Sequence, residues 1–130
     1  MTTLNWMGER MITGFYCTNV FSEHAKELID FYREVLEIPV IKTDADDSNG
    51  VYFGFIENAP TLCIWDCKAF NAPPTGYQSF VFQAENLDST MVCLKEKGVT
   101  LSDPIRYDWG TYEVRLKDPD ENEVVIVEFT

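Results

Sequence analysis

The feature that most constrains this chain is a single pattern of strand and helix signals laid down twice. In the first pass, residues 12–20 (ITGFYCTNV) are rich in β-branched and aromatic side chains and predict a strand. Ser22 is placed to cap a helix whose first turn holds Glu23, where a carboxylate is favoured. Ala25, Leu28, Ile29, Tyr32, Val35 and Leu36 recur at helical spacing. Pro39 closes that run, because the residue before a proline is pushed towards extended geometry. Short strands are predicted at 39–43, 51–56 and 61–66, separated by Ser48-Asn49-Gly50 and Asn58-Ala59-Pro60. Residues 71–76 (NAPPTG) are a connector by composition, and the order then restarts. A strand at 77–83 precedes a helix capped by Asn86 or Asp88, with Leu87, Met91 and Leu94 on one face. Gly98 fits the left-handed position just beyond that helix. Strands follow near 99–101, 112–117 and 123–129, the last two joined through Asp118-Pro119-Asp120-Glu121-Asn122.

One βαβββ unit has an open sheet face and too little core to stand alone. Two such units predict an α+β fold in one domain over residues 1–130, with modules at about 12–67 and 77–129 and a linker at 68–76. They are expected to form a curved, incomplete eight-stranded barrel-like sheet with the helices outside. The concavity is where a ligand would go.

The balance of 22 acidic against 10 basic residues, a net charge of −12, argues against a nucleic-acid partner. It suits attraction of a cationic ligand into a cleft. No apolar run reaches the roughly 18 residues of a membrane span. The opening MTTLNWMGERM lacks a basic region followed by an apolar one, so the expectation is a cytoplasmic protein without a signal peptide. Cys17, Cys63, Cys67 and Cys93 are read as free thiols, since Cys63 and Cys67 are four apart and no second pair follows. The loop Asp44–Gly50 fails the EF-hand pattern, with Gly50 one place late and Phe55 in the twelfth position, and reads as an acidic hairpin loop. No P-loop, HExxH, GxSxG or GxGxxG is present, and a lone His24 at the start of a helix supports no catalytic triad.

The segment FYREVLEIPV (31–40) resembles the FY-x-x-x-L-G helix end of the vicinal-oxygen-chelate superfamily, the group of glyoxalases, bleomycin-resistance proteins and extradiol dioxygenases. LKDPDENEVVIVE (116–128) is similar to its DPDGN-x-x-E-L-x-E hairpin, and Trp109-Gly110 to a WG pair ahead of it. The resemblance implies four metal-ligand positions drawn from His, Gln and Glu. Matched onto this chain, they fall at Phe15, Ile64 (with Cys63 and Trp65 as one-residue slips), Tyr77 and Val125. Phenylalanine, isoleucine and valine offer no lone pair, and Tyr77 could bind a metal only as a phenolate, so the expectation is a divergent member with no metal and no cofactor. Glu121 stands where the motif has glycine, and Asn122 is expected to take the left-handed conformation instead.

Alternation places Phe15, Cys17 and Asn19 on one face, Tyr77, Ser79 and Val81 on the matching face, and Val125 and Val127 on the last strand. The candidate ligand-binding set is therefore Phe15, Cys17, Trp65, Tyr77, Ser79, Tyr107, Trp109, Tyr112, Glu113 and Val125. Aromatics with nearby carboxylates suit a flat or cationic small molecule. Tyr77, Cys17, Asp66 and Glu113 are acid–base candidates, but no pairing singles one out as catalytic. The resemblance implies a homodimer and a metal-independent small-molecule binding protein. The alternative is a divergent lyase, dioxygenase or isomerase with an altered site.

Overall fold

The computed structural model describes residues 8, 10–44 and 49–130. The centre of the acidic hairpin loop and most of the first eleven residues lie outside them. The element order is βαβββ twice. It runs β1 (Cys17–Ser22), α1 (Ala25–Asp30), β2 (Val40–Asp44), β3 (Gly50–Phe53) and β4 (Thr61–Asp66). It then repeats as β5 (Ser79–Gln83), α2 (Leu87–Glu96), β6 (Ile105–Tyr107), β7 (Thr111–Lys117) and β8 (Glu123–Phe129). The strands form two four-stranded mixed sheets of matching order, β1-β4-β3-β2 and β5-β8-β7-β6, rather than one continuous sheet of eight. In each, the first strand runs parallel to the fourth, and the other pairings are antiparallel.

Several local expectations shift. The first strand begins at Cys17, so residues 12–16 are exposed and carry no strand pairing of their own beyond one bond from the Thr61 amide to the Tyr16 carbonyl. Ser22 accepts from the His24 amide at 2.9 Å instead of capping the helix interior, and His24 takes the N-cap place. At α2 the cap is Asn86, which accepts from the Ser89 amide at 2.9 Å. Residues 99–101 form no strand. Val99 folds back on the helix end through a bond to the Leu94 carbonyl, and its side chain and that of Leu101 pack on the core, leaving the sheet edge to Ile105–Tyr107. After α1 the chain widens into a π-helical turn, Phe31–Val35, and then reverses at Glu37 with φ +57°.

One core serves both halves. Val20, Leu28, Ile29, Val51, Phe53 and Ile64 of the first half are continuous with Leu87, Met91, Leu94, Val114, Leu116, Val124 and Ile126 of the second. Tyr32 stands at the junction with no exposed surface. Its ring meets Phe53 of its own half at 6.1 Å and Phe80 and Phe82 of the other at 6.3 and 6.2 Å. Its hydroxyl donates to the buried Asp118 carboxylate at 2.7 Å. The same carboxylate accepts from the Asp120 and Asn122 amides and from Asn122 Nδ2, which folds the β7–β8 turn around it. Lys97, just past α2, crosses between the halves. It donates to the Glu34 and Val35 carbonyls at 2.9 and 2.8 Å, and to the Glu37 carboxylate at 2.6 Å. The unpaired carbonyls at the end of the first helix are thereby satisfied by a cation, where one is favoured.

The left-handed residue in the turn is Glu121, φ +66°, and not Asn122. Asn122 is committed elsewhere, accepting from the Gln78 amide at 2.8 Å while donating to Asp118. A left-handed non-glycine residue costs about 1–2 kcal/mol. Glu121→Gly should therefore raise stability by about 1 kcal/mol in urea unfolding, the lost exposed contact to Lys117 counting for little. Tyr32→Phe should lower it by about 2 kcal/mol, because a buried carboxylate loses a donor. Burial, reinforced by Asp118, holds the Tyr32 phenol above the ordinary tyrosine range. Its contribution is complete below about pH 10 and is lost at higher pH, so the gap between wild type and Tyr32→Phe should narrow above pH 10.

Candidate functional site

Period-two alternation divides each sheet into a face that feeds the core and a face turned away from the helices. In the first sheet, Val20, Val51, Phe53 and Ile64 are core residues. Their neighbours Cys17, Asn19 and Phe21 on β1, Tyr52 on β3, and Thr61, Cys63 and Trp65 on β4 occupy the opposite, open face. Trp65 is the centre of that face. Its Nε1 donates to Asn19 Oδ1 at 2.9 Å. Its ring meets Tyr52 and Phe70 in perpendicular arrangements, both at 5.2 Å, and Phe70 meets Phe21 at 6.4 Å. Cys17 lies beside this cluster, its thiol 3.6 Å from the same Asn19 oxygen.

The open face of the second sheet is polar and charged at one end. Glu113 is hydrogen-bonded by Thr111 at 2.7 Å and paired with Arg115 at 3.2 Å. Arg115 reaches Glu123 at 3.6 Å, and Glu123 accepts from Ser79 at 2.6 Å. Two carboxylates around one guanidinium leave this network one negative charge. Val125 and Val127 share the face and are buried, whereas Val81 on β5 is 65% exposed. At the other end Tyr107 and Trp109 stack at 4.2 Å with rings nearly parallel.

The predicted site residues thus divide. Cys17 and Trp65 share the first open face, and Ser79, Tyr107, Glu113 and Val125 share the second. Trp109 reaches the second face through its stack on Tyr107 and is 68% exposed. Phe15 and Tyr77 precede their strands and are exposed. Tyr112 faces the other way. Its hydroxyl donates to Asp88 at the start of α2 at 2.7 Å, which raises its pKa, and the Arg106 guanidinium lies 3.9 Å over its ring. Phe21, Tyr52, Phe70, Arg115 and Glu123 were missed. The signal for Phe21 and Glu123 was parity, each being two residues from one already placed on the face.

A cavity of about 800 Å³ lies apart from the aromatic face, between Phe31 and Val35, residues 97–102 and residues 115–119. Its cations are engaged, Lys97 with Glu37, Lys117 with Glu121 and Arg115 with Glu113.

The model of the glyoxalase/bleomycin resistance protein/dioxygenase superfamily matches residues 14–126. The chain belongs to this superfamily. Among solved structures, this superfamily member is similar to lactoylglutathione lyase from Agrobacterium tumefaciens, at 18% identity and TM-score 0.71 over 92% of this chain and 96% of that one. It is also similar to TnmS3, an antibiotic binding protein from Streptomyces sp. CB03234, at 18% identity and TM-score 0.75 over 94% of this chain and 100% of that one. A superfamily member from Sphaerobacter thermophilus DSM 20745 matches at 22% identity and TM-score 0.70, over 91% and 98%. Identities this low establish the shared fold. No curated protein matches significantly by sequence. No helix among the described residues is long and apolar enough to cross a membrane.

The four positions matched from sequence to the superfamily's metal ligands do not come together on one face. Phe15 lies outside β1. Ile64 is fully buried on the core side, so Cys63 and Trp65 are the β4 residues on the open face, which corrects the register expected from sequence. Tyr77 precedes β5, and Val125 reaches the open face with a hydrocarbon. Among the described residues no three His, Cys, Asp or Glu side chains gather to hold an ion.

The thiols differ in surroundings. Cys93 is exposed, Cys17 half-buried, and Cys63 and Cys67 buried. Burial pushes Cys63 up to about 11, opposed by its contact with Thr61 and reinforced by Cys17. The fold therefore favours the neutral thiol, and that contribution, present below the unfolded pKa of about 9, is lost between pH 9 and 11. Iodoacetamide at pH 8, followed by peptide mass spectrometry, should label Cys93 first, Cys17 more slowly, and Cys63 only on unfolding. Equal rates at Cys93 and Cys63 would contradict this placement.

Proposed function

We propose that this superfamily member is a metal-independent small-molecule binding protein of the cytoplasm, holding an aromatic or cationic ligand against its open sheet faces. The observation that carries the reading is the content of those faces. The first face has a fixed cluster of Trp65, Tyr52, Phe70 and Phe21, and the second a network of net negative charge around Arg115. Aromatic faces attract flat rings and cations, and the carboxylates add to the attraction for positive charge. The overall charge of −12 draws a cation in the same direction. The antibiotic binding protein among the structural neighbours supports the same class of role.

A homodimer completes the reading. Ile105, Trp109, Val81 and Phe129 leave the second sheet with exposed apolar surface, the kind of surface a second copy covers. The cleft would then lie between open faces.

Proflavine, a flat tricyclic cation, should raise the melting temperature followed by circular dichroism by several degrees at about 100-fold excess over its Kd, equally before and after chelator treatment. An unchanged melting temperature counts against the reading. So does near-stoichiometric zinc, nickel, iron or manganese in the purified protein.

A further inference from the structure

We propose that Trp65 is a preformed stacking plate for a flat aromatic ring and that Gly50 and Asn19 fix it in place, a proposal that rests on the small-molecule reading above and names its ligand class. Gly50 lies directly opposite Trp65 in the β3–β4 register. A methyl group on Gly50 would overlap Cε3 and Cζ3 of the indole. The six-membered part of the indole therefore lies across the bare backbone of β3, a close approach that only glycine permits. Asn19, across the sheet on β1, holds the ring's other end by accepting from Nε1 at 2.9 Å. Tyr52 and Phe70 pack against it in perpendicular arrangements, both at 5.2 Å. A tryptophan restrained on backbone, nitrogen and edge loses little freedom when a ligand arrives, and preorganisation of this kind favours binding.

The chemistry left for a ligand follows from what is already used. The indole N–H is committed to Asn19, so the ring has no hydrogen bond left to offer a ligand. Its neighbours on β1, β3 and β4, namely Cys17, Asn19, Phe21, Tyr52, Thr61 and Cys63, include no carboxylate, and Asp44 on β2 holds the register position beyond Gly50. Lys42, with its ammonium 5.5 Å from the Tyr52 ring centre, is the cation at the margin. The indole itself therefore selects for planarity, and Glu113 and Glu123 on the other sheet favour positive charge. A flat, extended aromatic ring system fits the plate. A compact saturated cation does not.

The test uses the full-length protein, proflavine as the flat probe and tetraethylammonium as a cation without a plane. Titration calorimetry gives the affinities, and NMR of protein carrying 15N-labelled tryptophan follows the Trp65 indole N–H, assigned through Trp65→Phe. Stacking of a nucleobase on an aromatic side chain is worth about 5- to 150-fold in affinity. Trp65→Leu should weaken proflavine binding by about tenfold or more, and tetraethylammonium should bind wild type at least tenfold more weakly than proflavine does. Proflavine should move the Trp65 indole signal upfield by its ring current, a response that a purely structural tryptophan would not give. Gly50→Ala and Asn19→Leu should each weaken proflavine by about fivefold, and Asn19→Leu carries that arm if Gly50→Ala does not fold. Folded Trp65→Leu binding proflavine within twofold of wild type overturns the plate, as do equal affinities for the two probes or an unmoved indole signal. In those cases the broader binding reading survives. Wild-type protein that binds neither probe sinks both.

Discussion

The Asp118 carboxylate, buried and accepting four hydrogen bonds, is the interaction on which the rest of the structure depends. Three of its donors shape the turn before β8, and the fourth is the Tyr32 hydroxyl from the other half of the chain. A charge taken from water is tolerated only where its oxygens are satisfied. Satisfaction here requires the two halves to meet in a single way. Tyr32 carries the same constraint into the apolar core, where Phe53, Phe80 and Phe82 surround its ring. Lys97 ties the periphery of the junction by binding the end of the first helix.

Because the helices and the inner faces of both sheets are consumed in that core, the outer faces are free to differ. One is aromatic around Trp65, the other polar with paired charges around Arg115. The shared superfamily fold therefore fixes where chemistry can sit without fixing what it is.

Much of this was legible in the sequence. The repeated βαβββ order followed from periodicity, and the core positions Leu28, Ile29, Tyr32, Leu87, Met91 and Leu94 from helical spacing. Asn86, Gly98 and the stop before Pro39 followed from cap and turn chemistry. Register was less accessible. A run such as Thr61–Asp66 is apolar on both faces, so nothing local shows whether Ile64 or Cys63 looks inward, and a one-residue slip exchanges them. The start of β1 was misplaced because Ile12 and Phe15 have strand character but gain no pairing partner. Tyr112 was placed near the site by its neighbours in sequence, although parity on β7 sends it to α2. Asn122 was expected to carry the turn's strain, but its side chain is bound on both sides, which leaves Glu121 to do so.

Glutamates in left-handed geometry at Glu37 and Glu121 stand where the superfamily motifs have glycine. Glutamate and glycine codons differ by a single nucleotide, so relief of that strain is one step away in sequence space. Both positions are remote from the Trp65 face. A lineage carrying such a fold could therefore accept a destabilising change around its ligand and recover the loss at a distant turn. Adaptability of the binding surface is in this sense held in reserve by two backbone conformations.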